Sequence, residues 1–355
     1  MIGVGLAYGL IALSLAWGAF RNRAPLFSAC PSVTVLVAAR SVASQIDACL
    51  GALGRQNYDG KLAVIVINDR SEDDTGSRAE GWTDQITGLT VLNVEQTYHL
   101  CPKKNALEHG VRASVGEIIL TTDADCHPPP EWVAHTVSRF GDRVGAVAGP
   151  APLVGHGWLG RLLAFQSLIV GAIGVGSAGI GHALTCSGRN FAFRRAAFHD
   201  VGGYDPSGHF VGGDDVYLMR AIADHPDWRV VYHSDPDATV PSPAHSGHLW
   251  RRHLRYQSKT IRLGFGTLMA ALPVYILHLL LLAGPVLCWW RPDLLPNLLG
   301  LAAVKLLTDG VFLFLAARRL QQTHQLLWLP LIEIVAVPYV SIVSAVGALR
   351  PTTWV

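Results

Sequence analysis

The sequence predicts an α/β domain with a doubly wound sheet, set between hydrophobic ends that cross a membrane. Two observations support this. Strand-like and helix-like segments alternate in the middle of the chain, and long apolar stretches stand before and after them. The composition agrees, because a mean hydropathy of +0.31 with 15% charged residues is too apolar for an ordinary soluble enzyme. A chain of 355 residues has room for one large domain and a few membrane spans.

Charge and cysteine usage exclude several classes of protein. The net charge is +2, and the chain contains no arginine-rich tract interleaved with aromatic residues, which argues against a nucleic-acid partner. The six cysteines show neither Cys-x-x-Cys pairing nor metal-ligand spacing, so they indicate neither a zinc site nor a disulfide framework. A reducing compartment fits best.

Four apolar segments are long enough to cross a bilayer, which takes about 20 helical residues. They are Ile2–Phe20, Leu268–Trp290, Leu295–Ala317 and Leu326–Leu349. No basic segment precedes the first one, and Arg21 and Arg23 follow it. This pattern predicts an uncleaved anchor over residues 1–24 rather than a signal peptide. The other three segments form a C-terminal membrane region, residues 268–349.

The distribution of arginines predicts the orientation. Arg21, Arg23, the cluster from Arg251 to Arg262 and the Arg318/Arg319 loop all lie on one side of the membrane if the central domain is cytoplasmic. Only Arg291 and Arg350 then lie on the other side. We therefore expect an integral protein of a cell's inner membrane with its polar domain in the cytoplasm.

Two charged residues interrupt the third span. Lys305 and Asp309 are spaced i,i+4, so they share a helix face and can neutralise each other in a low-dielectric setting. An internal ion pair is the favoured interpretation, and a substrate contact is the alternative.

The elements of the central region, residues 31–262, follow one another in α/β order. Strands are predicted at Val33–Ala39, Leu62–Asn68, Leu89–Val94, Glu117–Thr122 and Gly145–Gly149. Helices are predicted at Val42–Gln56, from Ser71-Glu-Asp-Asp-Thr onward, and at Lys103–Ser114. Leu159–Ala183 is apolar and rich in glycine and alanine, and it could be mistaken for a fifth span. Its place inside this region favours a helix on the bilayer surface or in an acceptor pocket wall.

Acidic residues stand where strands end, which is where ligands bind in such sheets. Asp69 ends the second strand, and Asp123-Ala-Asp125 ends the fourth. Two carboxylates at this spacing can hold a hard cation that also binds phosphate oxygens. Alone the motif is weak, because aspartates are also common turn formers.

Further motifs follow in a fixed order. They are Cys186-Ser-Gly-Arg-Asn-Phe-Ala-Phe-Arg-Arg195, Val201-Gly-Gly-Tyr-Asp205, Gly212-Gly-Asp-Asp-Val216 and Arg252-His-Leu-Arg-Tyr256. Together with the Asp-x-Asp motif, this set resembles glycosyltransferase family 2, in particular its membrane-bound branch with cellulose synthase, hyaluronan synthase and ceramide glucosyltransferase. The resemblance covers about Val33 to Arg262, and it implies a GT-A fold.

The resemblance also implies roles for the donor-side residues. Asp69 matches the carboxylate that contacts the nucleotide base or ribose, and Lys103 matches a lysine near the nucleotide. Asp123 and Asp125 match the motif that holds a metal, Mg²⁺ or Mn²⁺, and the diphosphate. The first strand departs from the family, because Arg40-Ser41-Val42 follows it where members often have Arg-Asn-Glu.

On the acceptor side, the resemblance implies that Asp215 is the catalytic base and Asp214 its acidic companion. A helix N-cap is the alternative reading of these two aspartates. Arg252, Arg255 and Tyr256 match the Gln/Arg-x-x-Arg-Trp motif at the membrane interface, with tyrosine in place of tryptophan. The resemblance implies that these three residues bind the nucleotide sugar, with the arginines within reach of its diphosphate. Arginine contact with anionic lipid headgroups is the alternative for this motif.

Sugar transfer from a nucleotide sugar requires positive charge at the diphosphate and one carboxylate base at the acceptor. A nucleotide sugar has a good leaving group once its diphosphate charge is neutralised, so a metal and cations replace a general acid. One carboxylate base then takes the proton of the acceptor hydroxyl as its oxygen attacks the anomeric carbon, which gives inversion.

Four spans are few for a polysaccharide channel, so the sequence favours transfer to a membrane lipid or polyprenyl-type acceptor. A processive polysaccharide synthase, an inactive scaffold of the same fold and a membrane phosphotransferase or nucleotidyltransferase remain alternatives. The sequence leaves open the sugar, the nucleotide, the acceptor and the oligomeric state.

Overall fold

A seven-stranded mixed sheet forms the centre of the polar domain. The computed structural model describes residues 1–98, 101–245, 247, 253–254 and 264–349. The strand order is β3-β2-β1-β4-β7-β5-β8, and a second, two-stranded sheet pairs β6 with β9. The strands are β1 Val33–Ala39, β2 Leu62–Asn68, β3 Leu89–Asn93, β4 Ile118–Asp123, β5 Val144–Ala148, β6 Leu153–Val154, β7 Phe191–Arg194, β8 Arg229–Tyr232 and β9 Ser242–Pro243.

Eleven α-helices have both of their ends within the described residues. They are α1 Ile2–Arg21, α2 Ile46–Leu53, α3 Thr75–Glu80, α4 Pro102–Ala113, α5 Trp132–Val137, α6 Gly157–Gly179, α7 Arg195–Asp200, α8 Asp214–Asp224, α9 Phe265–Trp290, α10 Leu295–Arg319 and α11 Leu329–Leu349. The α/β prediction and the predicted strands are confirmed. Helix α2 begins later than predicted, because the chain turns at Ser41, whose φ is 51°.

Strand β7 makes the sheet mixed rather than wholly parallel. It runs antiparallel to both β4 and β5, between which it lies, whereas β1 to β4 are mutually parallel. The sequence analysis did not predict this four-residue strand. It is too short for its pattern to be distinguished from a loop.

Parallel pairing brings the acidic strand ends together. Ala39 of β1 lies opposite Asn68 of β2, and Ala38 lies opposite Asp123 of β4. The residues that follow these strands therefore project from one edge of the sheet, as expected for a doubly wound fold.

Two apolar layers cover the sheet. On one face Val35 and Val37 pack with Leu50 of α2 and Trp132 of α5, and all four are fully buried. On the other face α4, α6 and α8 cover the sheet, and this layer continues into Ala16 of α1 and other residues of α1 and α10. The polar domain and the apolar helices thus share one continuous core.

The apolar helices α1 and α10 meet the polar domain at their C-terminal ends. The Asn22 amide donates to the Tyr232 carbonyl at 2.8 Å, and the Arg319 guanidinium donates to the Asn22 carbonyl. The nearby guanidinium groups of Arg21 and Arg318 each lie 5.8 Å from an aromatic ring centre. Both basic helix ends therefore lie on the side of the polar domain, as the arginine distribution predicted.

Among the described residues, five helices are long and apolar enough to span a membrane, and α6 is one of them. A crossing by α6 is incompatible with the sheet, because β5 precedes α6, β7 follows it, and Ala148 pairs with Phe191. Helix α6 instead crosses the end of α1, where a Cβ on Gly18 would lie 1.9 Å from the Gly176 carbonyl oxygen. The geometry favours the predicted surface helix over a fifth span.

The charged residues inside the apolar helices form a larger network than predicted. The predicted pair is present, with Lys305 Nζ 2.8 Å from Asp309 Oδ2. The Lys305 ammonium also contacts Glu333 of α11, and the Tyr8 hydroxyl of α1 donates to Asp309 at 2.5 Å. The network therefore joins three helices, and mutual pairing reduces the cost of placing charge there.

Candidate active site

A cleft of about 470 Å³ opens at the carboxyl edge of the sheet. Strands β1, β2 and β4 and the start of α4 form its walls. Its lining includes Arg40, Gln45, Asp69, Lys103, Asp123, Asp125 and His245. Four of the donor-side residues predicted from the sequence thus lie in one cleft, namely Asp69, Lys103, Asp123 and Asp125.

Asp69 is held rigidly at the end of β2. Its residue surface is only 4% exposed, and its Oδ1 lies 2.7 Å from the Arg70 guanidinium. Its backbone N–H donates to the Ala39 carbonyl at 2.8 Å, which joins the ends of β1 and β2. A carboxylate placed here can accept a hydrogen bond from a nucleoside.

Lys103 joins the two acidic motifs. Its Nζ lies 2.7 Å from Asp123 Oδ1 and 3.3 Å from Asp214 Oδ2. Burial by itself would lower the pKa of Lys103, but the charges of Asp123 and Asp214 raise that pKa well above its usual value. The amine therefore stays protonated at neutral pH. It is a fixed positive charge between carboxylates that lie about ninety residues apart in sequence.

Asp214 and Asp215 occupy the first turn of α8. The N-cap is Gly213, with φ of 72°, so neither aspartate is the N-cap that the alternative reading required. Asp215 Oδ2 accepts a hydrogen bond from the Gly188 N–H at 2.8 Å, and Oδ1 accepts one from the Val216 N–H at 2.7 Å. The helix start also favours negative charge at this position. These two hydrogen bonds therefore fix the orientation of the Asp215 carboxyl group.

Gly188 has no side chain, which leaves room for Asp214 and Lys103 to lie close to its backbone. A Cβ at this position would lie 3.1 Å from Asp214 Oδ2 and 3.5 Å from Lys103 Nζ. The Thr121 hydroxyl of β4 donates to the Gly188 carbonyl at 2.9 Å and fixes the segment. The Cys186–Arg195 motif thus brings the backbone at Gly188 close to Lys103, Asp214 and Asp215. The sequence pattern of the motif does not predict this contact.

His245 is a candidate site residue that the sequence analysis missed. Its Nε2 lies 3.2 Å from Asp125 Oδ2, and both side chains are partly exposed in the cleft. A lone histidine 120 residues from Asp125 carries no sequence signal of this contact. Carboxylate oxygen and imidazole nitrogen are ligands that suit Mn²⁺, so the residues present fit a divalent metal. Asp125 and His245 would hold it, with Asp123 close by.

A second histidine and aspartate group fits a metal less well. His135, Asp235 and Asp237 bring ligand atoms within 4.8 Å of one another. Asp235 Oδ2, however, already lies 2.9 Å from both His135 Nδ1 and Arg139 Nη2. Burial would raise the pKa of Asp235, but hydrogen bonds and these positive groups lower it overall. The guanidinium supplies the positive charge that a cation would bring.

The structure describes six of the nine predicted site residues. Lys103 contacts both Asp123 and Asp214. Asp125 and Asp215 lie close to these two aspartates in the sequence, and Asp69 lies in the same cleft as Lys103. The remaining three, Arg252, Arg255 and Tyr256, lie outside the described residues.

The chain is similar to known glycosyltransferases in sequence and in fold. Residues 34–202 match the model of the family described as Glycosyl transferase family 2. An N-acetylglucosaminyltransferase of Mesorhizobium japonicum is 25% identical over 242 residues, which are 65% of this chain and 56% of that protein. The glycosyltransferase AglE of Haloferax volcanii is 29% identical over 124 residues, 34% of this chain and 40% of that protein. The chain thus spans about half the length of these curated relatives.

A solved structure resembles nearly the whole chain. It is a mannosyltransferase from Pyrobaculum calidifontis in complex with GDP-mannose and Mn²⁺, with a TM-score of 0.62 and 23% sequence identity. The likeness covers 99% of this chain and 98% of that one. At this identity the likeness establishes the shared fold alone.

Proposed function

We propose, since residues 34–202 are a glycosyltransferase family 2 domain, that the chain transfers a sugar from a nucleotide sugar to a membrane acceptor with inversion. The contact of Lys103 with both Asp123 and Asp214 carries this proposal. Lys103, a cation suited to a donor diphosphate, lies 3.3 Å from the aspartate that directly precedes the proposed base, Asp215. A transferase needs the cation and the base at one point.

The donor binds in the cleft at the edge of the sheet. Asp69 accepts a hydrogen bond from the nucleoside, and Lys103 supplies positive charge for the diphosphate. Asp123, Asp125 and His245 would hold a divalent cation, Mn²⁺ or Mg²⁺, which would supply positive charge to neutralise the leaving diphosphate. The Mn²⁺ and GDP-mannose of the Pyrobaculum enzyme support this assignment.

Asp215 acts as the base. The acceptor oxygen attacks the anomeric carbon while the bond from that carbon to the diphosphate breaks. The proton of the acceptor hydroxyl passes to the carboxylate of Asp215, and a single displacement inverts the anomeric centre. The two backbone N–H groups that contact Asp215 hold its carboxylate in place for this transfer. Asp214 keeps Lys103 close to it.

The acceptor is a membrane lipid or a polyprenyl-type carrier. Helix α6 packs on the basic end of α1, and the chain leads from α6 within nine residues to Gly188, the residue that touches Asp215. A lipid whose tail stays in the bilayer can present its hydroxyl from that side without a polar channel. The four remaining candidate spans are few to enclose a growing polysaccharide.

Assays with labelled nucleotide sugars test the proposal. Membranes containing the chain are incubated with a panel that includes UDP-N-acetylglucosamine and GDP-mannose, each with Mn²⁺. We expect a product that extracts into organic solvent and carries one added sugar. A water-soluble polymer that grows with time would replace the lipid acceptor with a processive synthase. No turnover of any donor would favour an inactive scaffold, and turnover without a glycosyl product would favour a phosphotransferase.

A further inference from the structure

Lys104 follows Lys103 on the first turn of α4 but contacts a different part of the molecule. Its residue surface is 0% exposed, and it is not among the cleft residues. Burial of an ammonium group is strongly unfavourable unless dipoles or opposite charges surround it. The groups around Lys104 therefore indicate what it does.

The Lys104 ammonium binds the segment that leads into α8. Its Nζ donates to the Ser207 carbonyl at 2.5 Å and to the Phe210 carbonyl at 3.2 Å. It also lies 4.9 Å from the centre of the Tyr217 ring on α8. Charge-assisted hydrogen bonds and a cation–π contact are both stronger when they are shielded from water, as here.

Other contacts of the same segment are made with the start of α4 and with Tyr217 of α8. The Gly212 N–H donates to Cys101 Sγ at 3.4 Å, and the Phe210 ring lies 5.3 Å from the Tyr217 ring. The segment ends at Gly213, where a Cβ would lie 2.6 Å from the Tyr217 ring. Residues 205–213, which we name the brace segment, thus contact the start of α4 through Ser207, Phe210 and Gly212, and they contact α8 through the Tyr217 ring.

The brace segment ends where the proposed base begins. Asp214 and Asp215 follow Gly213 directly, so a shift of the segment moves both carboxylates. Lys103 contacts Asp214 and Lys104 contacts the preceding segment, so two consecutive lysines set the position of the α8 start. Lys103 lies in the cleft, whereas Lys104 is fully buried in the core.

We propose that Lys104 is a positioning residue for sugar transfer, whose ammonium holds the brace segment so that Asp215 stands at the acceptor hydroxyl. This proposal rests on the proposed function, because it requires Asp215 to be the base. Lys104 itself touches neither donor nor acceptor.

Lys104→Met tests this role, because methionine keeps much of the side-chain length but carries no charge or donor. We expect kcat to fall about 10- to 100-fold, since a small misplacement of a catalytic group has effects of this size. The donor KM should change less than about 3-fold, because Lys103 and the cleft are untouched. Lys104→Arg, which keeps the charge and the donors, should restore part of kcat. The matched control is Arg112→Met, on the same helix at an exposed position.

Hydrogen exchange separates the positioning role from the proposed function, since it needs no turnover. In Lys104→Met, amides of residues 205–213 should exchange faster, while Mn²⁺-dependent binding of UDP or GDP stays at the wild-type level. Unchanged exchange, or equal loss of kcat and nucleotide binding, would overturn the proposal. If Lys104→Met does not fold, Tyr217→Leu removes the aromatic contact and is judged by the same two measurements. A wild-type chain without sugar transfer would refute the proposed function, and hydrogen exchange would still decide whether Lys104 holds the segment.

Discussion

Replacement of Asp215 by asparagine separates its chemical role from its structural one. The carboxylate accepts hydrogen bonds from the N–H groups of Gly188 and Val216 at 2.8 and 2.7 Å. An asparagine side chain has one acceptor oxygen, so its NH₂ group must face one of these donors. The lost hydrogen bond to a charged acceptor costs about 1.5–3 kcal/mol of stability. A folded variant with a modestly lower melting temperature is expected.

The effect on turnover should be larger. An amide cannot take the acceptor proton, and loss of a general base lowers rates by about 10²- to 10⁴-fold. This corresponds to about 2.7–5.4 kcal/mol added to the barrier, at 1.36 kcal/mol per factor of ten. Donor binding should survive, because Asp69, Lys103 and Asp125 remain in the cleft.

Initial rates with the labelled donor, together with calorimetric binding of the nucleoside diphosphate, measure both quantities. Asp224→Asn is the matched control. Asp224 lies at the other end of α8, where its side chain is 66% exposed and pairs with Arg220. Turnover by Asp215→Asn within about 3-fold of wild type would exclude Asp215 as the base. A parallel loss of nucleotide binding would show that Asp215 serves the donor site instead.

Three further predictions concern the metal, pH and topology. Activity should vanish in excess EDTA. His245→Ala should raise the Mn²⁺ concentration for half-maximal activity by about tenfold or more. An unchanged Mn²⁺ titration would show that His245 is not a metal ligand. Burial, and then the charge of Arg139, lowers the pKa of His233 from 6.5 to about 3. The unfolded chain therefore binds the extra proton between these values, and stability should fall by up to about 1.4 kcal/mol per pH unit as pH drops below 6.5. His233→Asn should lose that slope in thermal unfolding in detergent, and an equal slope would contradict the assignment. A cysteine placed at Asp74 should react with a membrane-impermeant reagent only from the cytoplasmic side, and labelling from the opposite side would reverse the topology.

Most of the central sheet could be predicted because its parallel strands are buried on both faces. Such strands appear in the sequence as continuous apolar runs, and the predicted bounds Val33–Ala39 and Leu62–Asn68 are those of β1 and β2. The polar residue after each run marks the carboxyl edge. The sequence pattern therefore predicts that Asp69 and Asp123 lie in one site.

The short elements could not be predicted with the same success. Strand β7 has four residues and pairs with strands about seventy and forty-five residues earlier in the chain. Its place between β4 and β5 depends on those partners, and no local pattern records them. The long helix α6 is a different case. It has the composition of a membrane span, its place inside the central region predicted a surface helix or pocket wall instead, and the pairing of β5 with β7 excludes a crossing.

The sequence by itself determined the α/β fold, the apolar ends, the Asp-x-Asp motif and the acidic pair at the start of α8, since each depends on neighbouring residues. Tertiary structure alone decided that Lys103 joins Asp123 to Asp214, that His245 reaches Asp125, and that Lys104 holds the segment before α8. These contacts join residues about 20 to 120 positions apart. Chain periodicity reports which face of an element is buried, but it carries no information about which distant residue packs there. Folding alone brings such residues within hydrogen-bonding distance.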